Sequence, residues 1–167
     1  MGRDADYNAI TTLILDNRDS IYRLAYSYVH NQADAQDIVQ ESICKALSSR
    51  RSLRQPAHAK AWFYRIVVNT AFDFIRKNKK YLYLEADQLE SESCASDPYP
   101  DLDLQDTVNK LSTVNRTIIV LRFYEDLELR EIADIMDENL STVKTRLYSS
   151  LKKLRLELDE TAKTQSD

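Results

Sequence analysis

The chain has 167 residues, of which 43% are hydrophobic and 30% are charged, and its formal net charge is −4. This length allows one domain or two small ones, and no apolar run approaches the roughly 20 residues of a membrane-spanning helix. The single glycine excludes the glycine-rich loops that bind nucleotide phosphates, and it indicates an all-α fold.

The sequence contains no pattern typical of catalysis or metal binding. Its two cysteines and two histidines lack the spacing of a disulfide framework or a zinc site. No nucleophile elbow and no paired histidine and carboxylate motif is present. We therefore predict a protein that is not an enzyme and has no cofactor or metal. The charged start MGRDADYNAI is unlike a signal peptide, which predicts a cytoplasmic location.

Charge is unevenly distributed along the chain. Residues 50–80 carry nine basic side chains and one acidic side chain, whereas residues 81–106 carry eight acidic side chains and no basic one. Residues 140–155 carry five basic side chains and no acidic one. Two cationic patches and an anionic segment indicate interaction surfaces, although solvated helix faces would give the same counts.

Apolar side chains recur at helical spacing in the first third of the chain. They predict one long first helix, whose buried face is Ile10, Leu13, Ile14, Ile21, Leu24, Ala25 and Tyr28. Asp34 is a candidate cap for a second helix, whose inward side is Ala35, Ile38, Val39, Ile43 and Ala46. The outward side of this helix carries Asp37, Gln40, Glu41 and Cys44. Residues 52–60, which include Pro56, are predicted to form a loop.

The stretch AWFYRIVVNTAFDFIRKNKK, residues 61–80, predicts a helix with two different faces. The face directed to the core is Phe63, Ile66, Val67, Thr70 and Phe74. A second stripe, called the Trp62 stripe below, is Trp62, Arg65, Asn69, Asp73 and Arg76. These groups suit an unpaired nucleic-acid strand, because rings stack on bases, amides read base edges and cations hold the backbone. Alternatively, Trp62 closes the edge of the core.

Residues 81–101 have no periodic apolar face and are rich in serine, proline and acidic residues. Such a composition does not readily offset the entropy lost on ordering. We therefore expect a flexible acidic linker at 81–101, between a helical domain at 1–80 and a second helical domain at 102–167.

The second domain is predicted to contain several short helices and a longer last one. One helix carries Leu104, Val108 and Leu111, and Ser112 is a candidate cap for the next. A short helix follows, with apolar positions Leu129, Ile132, Ala133 and Met136. Asn139 is a candidate cap for the last helix, whose inward side is Val143, Leu147, Leu151 and Leu154.

Two helices joined by about four polar residues, the second of them basic, form a helix-turn-helix pattern. Several side chains of the last helix face away from its apolar stripe or flank it, in positions suited to base edges in a major groove: Thr142, Lys144, Thr145, Tyr148 and Ser149. The cations suited to phosphates are Arg146, Lys152, Lys153 and Arg155. An antiparallel hairpin inside a helical bundle would give the same pattern.

Three segments, in this order, resemble the extracytoplasmic-function sigma factors, the small two-domain branch of the sigma-70 family. DAQDIVQESICKAL resembles region 2.2, AWFYRIVVNTAFDFIRK resembles regions 2.3 and 2.4, and LREIADIMDENLSTVKTRLYSSLKKLR resembles region 4.2. The resemblance implies promoter-specific transcription initiation with core RNA polymerase, and no catalysis by the chain itself.

The resemblance also assigns roles to residues. It implies that Asp37, Gln40 and Glu41 contact core polymerase and that the Trp62 stripe handles the opened −10 element. It implies that the −35 element is read by Thr142, Lys144, Thr145, Arg146, Tyr148 and Ser149. An anti-sigma factor is a further implied partner, able to hold the protein at the inner membrane face.

The chain departs from the family pattern at the turn between the last two helices. Asp137 and Ser141 stand where members often have glycine, and aspartate tolerates left-handed backbone better than most residues. Ser149 stands where many members have a cation, which affects the −35 sequence that is read.

Two other functions stay open at this stage. A stand-alone helix-turn-helix regulator would bind duplex DNA without polymerase, but it leaves the Trp62 stripe and the face around Asp37 unexplained. A purely structural or adaptor helical protein is the other alternative.

Overall fold

The computed structural model describes residues 2–78 and 102–164, and every regular element in these ranges is helical. The first group of helices is α1 (Gly2–Asp16), α2 (Arg18–Val29), α3 (Gln32–Ser48) and α4 (Ala59–Lys77). The second group is α5 (Leu102–Asn109), α6 (Thr113–Ile119), α7 (Leu129–Met136) and α8 (Leu140–Thr164). The predicted all-α class is confirmed. The predicted linker, residues 81–101, lies outside the described residues.

The prediction of one long first helix is wrong, because the chain breaks between α1 and α2 at Asn17. Its backbone has φ −107° and ψ 10°, and its side-chain amide donates a hydrogen bond to the Leu13 carbonyl over 2.8 Å. This side chain competes with the helical backbone for the carbonyl, as asparagine commonly does. The apolar spacing is kept on both sides of the break, so Ile10, Ile21 and Leu24 are still buried.

The cap of the next helix also differs from the prediction. Asn31, and not Asp34, is the amino-terminal cap of α3, and its Oδ1 accepts a hydrogen bond from the Asp34 backbone amide over 3.0 Å. Asn31 has the extended backbone that a cap residue needs. Asp34 lies in the first turn, where its carboxylate is favoured by the helix dipole.

The predicted loop at 52–60 contains more structure than expected. A 3₁₀ turn at Pro56–His58 precedes α4, which begins at Ala59, and another 3₁₀ turn spans Arg50–Ser52. Proline at the first position of such a turn has a suitable φ and no amide to leave unpaired. The chain between α3 and α4 is therefore ordered into two short turns that hold the start of α4.

The core of the first group lies between α2, α3 and α4, which pack on one another. Fully or nearly fully buried side chains come from each helix, including Leu24, Ile38, Phe63 and Val67. Tyr64 is also completely buried, although the sequence pattern did not include it in the apolar face of α4. Burial of each large apolar side chain contributes about 1.5–3 kcal/mol to folding.

The core of the second group lies where α5, α6 and α7 pack on α8. The predicted caps are confirmed: the side chain of Ser112 accepts from the Asn115 amide, and that of Asn139 accepts from the Thr142 amide over 2.8 Å. The inward residues of α8 are buried or half-buried as predicted. After α6 the helix widens into a π-helical turn at Val120–Tyr124.

The turn between α7 and α8 is closed by Asp137 in the left-handed region, with φ 54° and ψ 42°. The Glu138 amide donates to the Ala133 carbonyl and the Asp137 amide donates to the Asp134 carbonyl. This is the Schellman arrangement, in which glycine is the usual residue. Aspartate takes that place here, as the sequence predicted.

The two groups are in direct contact, because α4 packs against α7. The helix that carries the Trp62 stripe therefore lies beside the first helix of the helix-turn-helix pair. The stripe itself lies roughly 160° around α4 from Lys60 and Tyr64, which face the second group, at 100° per residue.

Candidate nucleic-acid and protein interfaces

The outward face of α3 is polar and accessible. Asp37, Gln40 and Glu41 are all exposed, as is Cys44 one turn further along the helix. The Glu41 carboxylate lies 2.9 Å from the Lys45 ammonium, with both side chains nearly half exposed. A solvated pair of this kind is worth little in stability. Asp37 makes no ion pair with any described residue, so its carboxylate is available to an external cation.

In the Trp62 stripe, the first residue is fixed by a hydrogen bond and the residues that follow are accessible to solvent. The Trp62 indole Nε1 donates to the Ser52 hydroxyl over 3.0 Å, which fixes the half-buried ring against the turn before α4. Arg65 and Asn69 are exposed, and neither is bonded to another described side chain. The ring thus closes the core edge and still presents part of its surface to solvent.

The end of the Trp62 stripe carries opposite charges one turn apart. Arg76 lies 3.6 Å from the Asp73 carboxylate, with the two side chains 77% and 46% exposed. Solvent screens such a pair, so it holds Arg76 only weakly. The sequence-predicted stripe is therefore brought together on one accessible side of α4.

An open groove runs between α3 and α4 and joins two of the predicted surfaces. Glu41 and Cys44 line one wall, and Asn69 lines the other. The Lys45 ammonium donates to the Thr70 hydroxyl over 3.3 Å and ties the two helices together at the floor. A partner bound to the face around Asp37 would consequently lie next to the Trp62 stripe.

The exposed face of α8 presents the residues predicted to meet duplex DNA. Lys144, Thr145 and Ser149 are exposed, Thr142 is half-buried, and Tyr148 is 64% exposed. These side chains lie within the first ten residues of a helix of 25 residues. They project from the amino-terminal part of the second helix of the pair, which is the part that enters a major groove in helix-turn-helix proteins.

Arg146 differs from its neighbours on α8, because it is already paired. Its Nε donates to the Glu138 carboxylate over 3.1 Å, and the arginine is only 39% exposed. This bond ties the first part of α8 to the preceding turn. Arg146 therefore has a structural partner besides the phosphate that the sequence predicted for it.

Sequence reasoning did not find a cluster of buried polar groups where the two helical groups meet. Tyr28, Tyr64, Arg116 and Glu125 are each less than 10% exposed. Burial raises the pKa of Tyr28, and burial together with the Glu125 carboxylate raises the pKa of Tyr64, so both phenols stay protonated and donate. Burial lowers the pKa of Arg116. No local spacing signals these contacts, because the partners are far apart in sequence.

No helix within residues 2–78 and 102–164 combines the length and the apolar character needed to cross a bilayer. Within the same ranges, no three metal-binding side chains of histidine, cysteine, aspartate or glutamate come together as a possible ion site.

Comparison with known proteins places both helical groups in one family. Residues 13–81 match sigma-70 region 2, and residues 101–154 match sigma-70 region 4. The chain is 51% identical over 150 residues to RNA polymerase sigma factor SigV of Bacillus subtilis, covering 89% of this chain and 90% of the relative. It is 31% identical to ECF RNA polymerase sigma factor SigW of the same organism, covering 93% and 92%.

A solved structure shows the same arrangement of helices. It is the sigma factor RpoE from Bartonella quintana in complex with the anti-sigma factor NepR, with a TM-score of 0.75 and 25% identity. The match covers 89% of this chain and 96% of that one. The two family matches and the identity to SigV settle the assignment. The chain belongs to the extracytoplasmic-function sigma factors, the non-catalytic proteins that direct promoter-specific initiation by RNA polymerase.

Proposed function

We propose that the protein divides promoter initiation among three separate surfaces. Asp37, Gln40 and Glu41 on α3 bind core RNA polymerase. The Trp62 stripe on α4 binds the opened −10 strand, and the exposed face of α8 reads the −35 duplex. The observation that carries this assignment is that each surface lies on a different helix and is accessible without unfolding its neighbours.

The face on α3 suits a basic protein surface. It combines the unpaired Asp37 carboxylate with Glu41, whose lysine partner is solvated and exchangeable. Such exposed charges contribute more to the rate and specificity of association than to affinity. The outcome is an acidic docking site that orients polymerase beside the Trp62 stripe.

The Trp62 stripe has the chemistry for a single strand. Stacking on an aromatic ring is worth about 1–3 kcal/mol per base, and extracting a base from a duplex costs a few kcal/mol. The free energy gained from the Trp62 ring and the Asn69 amide is therefore close to the cost of extracting one base and does not exceed it. Strand opening accordingly depends on polymerase, and the stripe serves to capture and read what has been opened.

The face on α8 has the chemistry for a duplex. Lys144, Thr145, Tyr148 and Ser149 are placed for base edges, where a good contact discriminates by roughly 1–3 kcal/mol. The neighbouring cations Arg146, Lys152, Lys153 and Arg155 are placed for phosphates, which position the helix without reading sequence. Because these cations are clustered, counterion release favours binding despite the net charge of −4.

We further propose the domain division 1–80, 81–101 and 102–167, in which the middle segment is an acidic tether. The matches to sigma-70 regions 2 and 4, at 13–81 and 101–154, support this division. We also propose that the protein is cytoplasmic and that an anti-sigma factor, able to hold it at the inner membrane face, is a partner. Support comes from the similar RpoE, which was solved in complex with the anti-sigma factor NepR.

The decisive experiment is transcription in vitro by core RNA polymerase with this protein on a genomic template, followed by sequencing of the transcript 5′ ends. We expect start sites that appear only when the protein is added and that share two upstream elements. Duplex DNA binding without any new start site would instead support a stand-alone helix-turn-helix regulator. Absence of both activities would support a structural protein.

A further inference from the structure

We propose that a cavity lined by Arg23 and Arg116 binds a small free oxyanion, of which inorganic phosphate is the simplest example, through the guanidinium groups of these two residues. The cavity is separate from the three surfaces of the proposed function, because none of its lining residues belongs to them. The inference rests on the volume of the cavity, on the charges that line it and on the hydrogen bonds that these charges leave unmade.

The cavity has a volume of about 60 Å³ and lies beside α2. Its polar lining comes from α2, α5, α6 and the end of the π-helical turn, and includes Arg23, Asn109, Arg116, Tyr124 and Glu125. One water molecule needs about 10–15 Å³ of such space, and cavities that stay empty in proteins are apolar. A polar cavity of this size therefore holds either a few water molecules or one small ion.

Arg116 is a buried cation without a counter-ion. It is only 6% exposed, and it forms no ion pair with a carboxylate of the described residues. Its Nη1 donates to the Asn109 carbonyl over 3.0 Å, but its buried Nε has no acceptor among the described residues. A buried charge without a partner is costly, and such charges in proteins are normally paired. An anion in the cavity would supply the missing negative charge.

Arg23 brings a second cation to the cavity from a different helix. It is exposed on α2, and it too is in no ion pair with a described carboxylate. Its Nη2 lies 3.4 Å from the Ser20 hydroxyl, which is longer than a normal hydrogen bond. The guanidinium is therefore free to turn towards a ligand. Two cations that line one cavity repel each other, and an anion between them removes that repulsion.

Glu125 is the one acidic residue among the described residues that line the cavity, and it is engaged elsewhere. Its Oε2 accepts from the Tyr64 hydroxyl, and its backbone carbonyl accepts from the Lys60 ammonium over 2.7 Å. Burial lowers the pKa of Arg116, and the opposing influence comes from Tyr28 and not from Glu125. Glu125 thus leaves Arg116 uncompensated. With two cations against one carboxylate, the lining keeps a net positive charge.

The neutral groups of the lining add donors for an oxyanion. The Tyr124 hydroxyl and the Asn109 side-chain amide both donate, and neither is bonded to another described residue. Ser27 does not contribute, because its hydroxyl already donates to the Leu24 carbonyl over 2.7 Å. Guanidinium groups match the oxygens of phosphate in geometry, and hydrogen bonds between charged groups are about twice as strong as neutral ones. The donors therefore favour a small oxyanion over water.

His30 provides a reporter for the bound ion. Partial burial, and then the Arg116 guanidinium, lowers the pKa of the His30 imidazole, so this imidazole senses the charge of Arg116. An anion bound beside Arg116 offsets that charge, and the pKa of His30 should then rise towards its ordinary value. His58, exposed in the turn before α4, serves as the reference signal.

The test uses the full chain with Arg23→Gln and, independently, Arg116→Gln. Arg18→Gln, which removes an exposed cation from α2 outside the cavity, is the matched control. Inorganic phosphate is titrated into isotope-labelled protein at constant pH and ionic strength, and NMR shifts give the dissociation constant. Glycerol phosphate is titrated in the same way as a larger ester. The His30 imidazole is titrated with and without sulfate, whose charge is constant near neutral pH.

We expect saturable phosphate binding by wild type and Arg18→Gln, binding about tenfold weaker by Arg23→Gln, and no binding by Arg116→Gln. Sulfate should raise the pKa of His30 in wild type and leave it unchanged in Arg116→Gln. The glycerol ester should bind more weakly than free phosphate, because the cavity has room for a small ion.

Shifts that do not saturate in wild type would show that the cavity holds water only, and they overturn the proposal. Equal phosphate affinities of Arg23→Gln and Arg18→Gln overturn it as well. Glycerol phosphate binding as tight as that of free phosphate would overturn the assignment to a free ion. Circular dichroism melting curves confirm that each variant is folded, and if Arg116→Gln is not, the comparison of Arg23→Gln with Arg18→Gln decides.

Discussion

Arg146 and Glu138 are joined by a hydrogen bond of 3.1 Å that ties the recognition helix α8 to the turn before it. The same arginine is proposed to face DNA phosphates, so the carboxylate competes with the phosphate for it. Glu138→Gln weakens this competition. We expect duplex −35 binding to strengthen about two- to threefold, with a loss of stability of about 0.2–1 kcal/mol.

The measurement for this pair is fluorescence anisotropy of labelled duplex at several salt concentrations. Glu160→Gln removes an exposed carboxylate far along the same helix and is the control for net charge. If the two variants bind DNA equally well, the pair does not restrain Arg146.

Asn69→Ala tests the assignment of the Trp62 stripe. The exposed amide is free of partners among the described residues, so its loss removes a base contact at little cost in stability. We expect discrimination among −10 sequences to fall by roughly 1–3 kcal/mol at the contacted base, with polymerase binding unchanged. Open-complex assays on mutated −10 elements measure this effect.

Asn8→Ala, at an exposed position on α1, is the matched control for Asn69→Ala. A joint loss of −10 discrimination and polymerase binding in Asn69→Ala would contradict the separation of these two surfaces.

Asp37→Arg tests the polymerase-binding face on α3. Reversal of an exposed, unpaired charge should slow association with core polymerase and weaken affinity, because the surface is proposed to meet cationic groups. The measurement is competition with a labelled sigma factor for core enzyme. Asp19→Arg, a charge reversal at an exposed position on α2, is the control. Equal affinities for the two variants would rule out this face.

Lys144→Ala tests the recognition helix. If Lys144 contacts a base edge, preference for the −35 sequence should relax by about 1–3 kcal/mol. If it contacts only phosphate, binding should weaken uniformly and the salt slope should fall by about 1. Lys163→Ala, near the other end of α8, is the control. A promoter profile and a salt slope both identical to wild type would place α8 outside the groove.

His30 gives a prediction for pH. Partial burial, and then the Arg116 guanidinium, lowers the pKa of this imidazole below its ordinary value of 6.5. As pH falls, the imidazole is therefore protonated in the unfolded chain before it is protonated in the folded protein. The folded protein keeps its full stability above pH 6.5 and loses part of it as pH falls from 6.5 to the lower pKa of the folded state. His30→Asn tolerates the positive φ of 50° and removes the titration, so the pH slope of stability should shrink.

Urea denaturation at a series of pH values measures the slope for His30→Asn. His58→Asn, an exposed histidine in the turn before α4, controls for the loss of a histidine. If the free energy of unfolding of His30→Asn depends on pH as steeply as that of wild type, His30 is not the source of the pH dependence.

Sequence periodicity predicted most of the fold because the relevant signals are local. Ser112 and Asn139 were recognised as caps from their position before an apolar run, and Asp137 from its tolerance of left-handed backbone. The break at Asn17 was missed, because the apolar spacing continues through it. Asp34 was predicted as the cap, whereas Asn31 occupies that position; both residue types cap helices, and only the backbone geometry distinguishes them.

The placement of the candidate site residues on accessible helix faces was predictable for the same reason. Each set lies on one helix, and its residues are spaced at the helical period. The contact between Tyr64 and Glu125 was not, because it joins residues 61 apart in sequence. Tyr64 and Glu125 each look ordinary in their own helix or turn. Their importance appears only when the two helical groups are placed together.

Within residues 2–78 and 102–164, three residues other than glycine have φ between 50° and 54°: His30, Asp126 and Asp137. Glycine at such positions would add freedom to the unfolded chain and to the joint itself. The turns at His30 and Asp137 are therefore more rigid than glycine turns would be. They restrict the angle between α2 and α3 and the angle between α7 and α8. Each of these two helix pairs should therefore keep its interhelical angle when a partner binds.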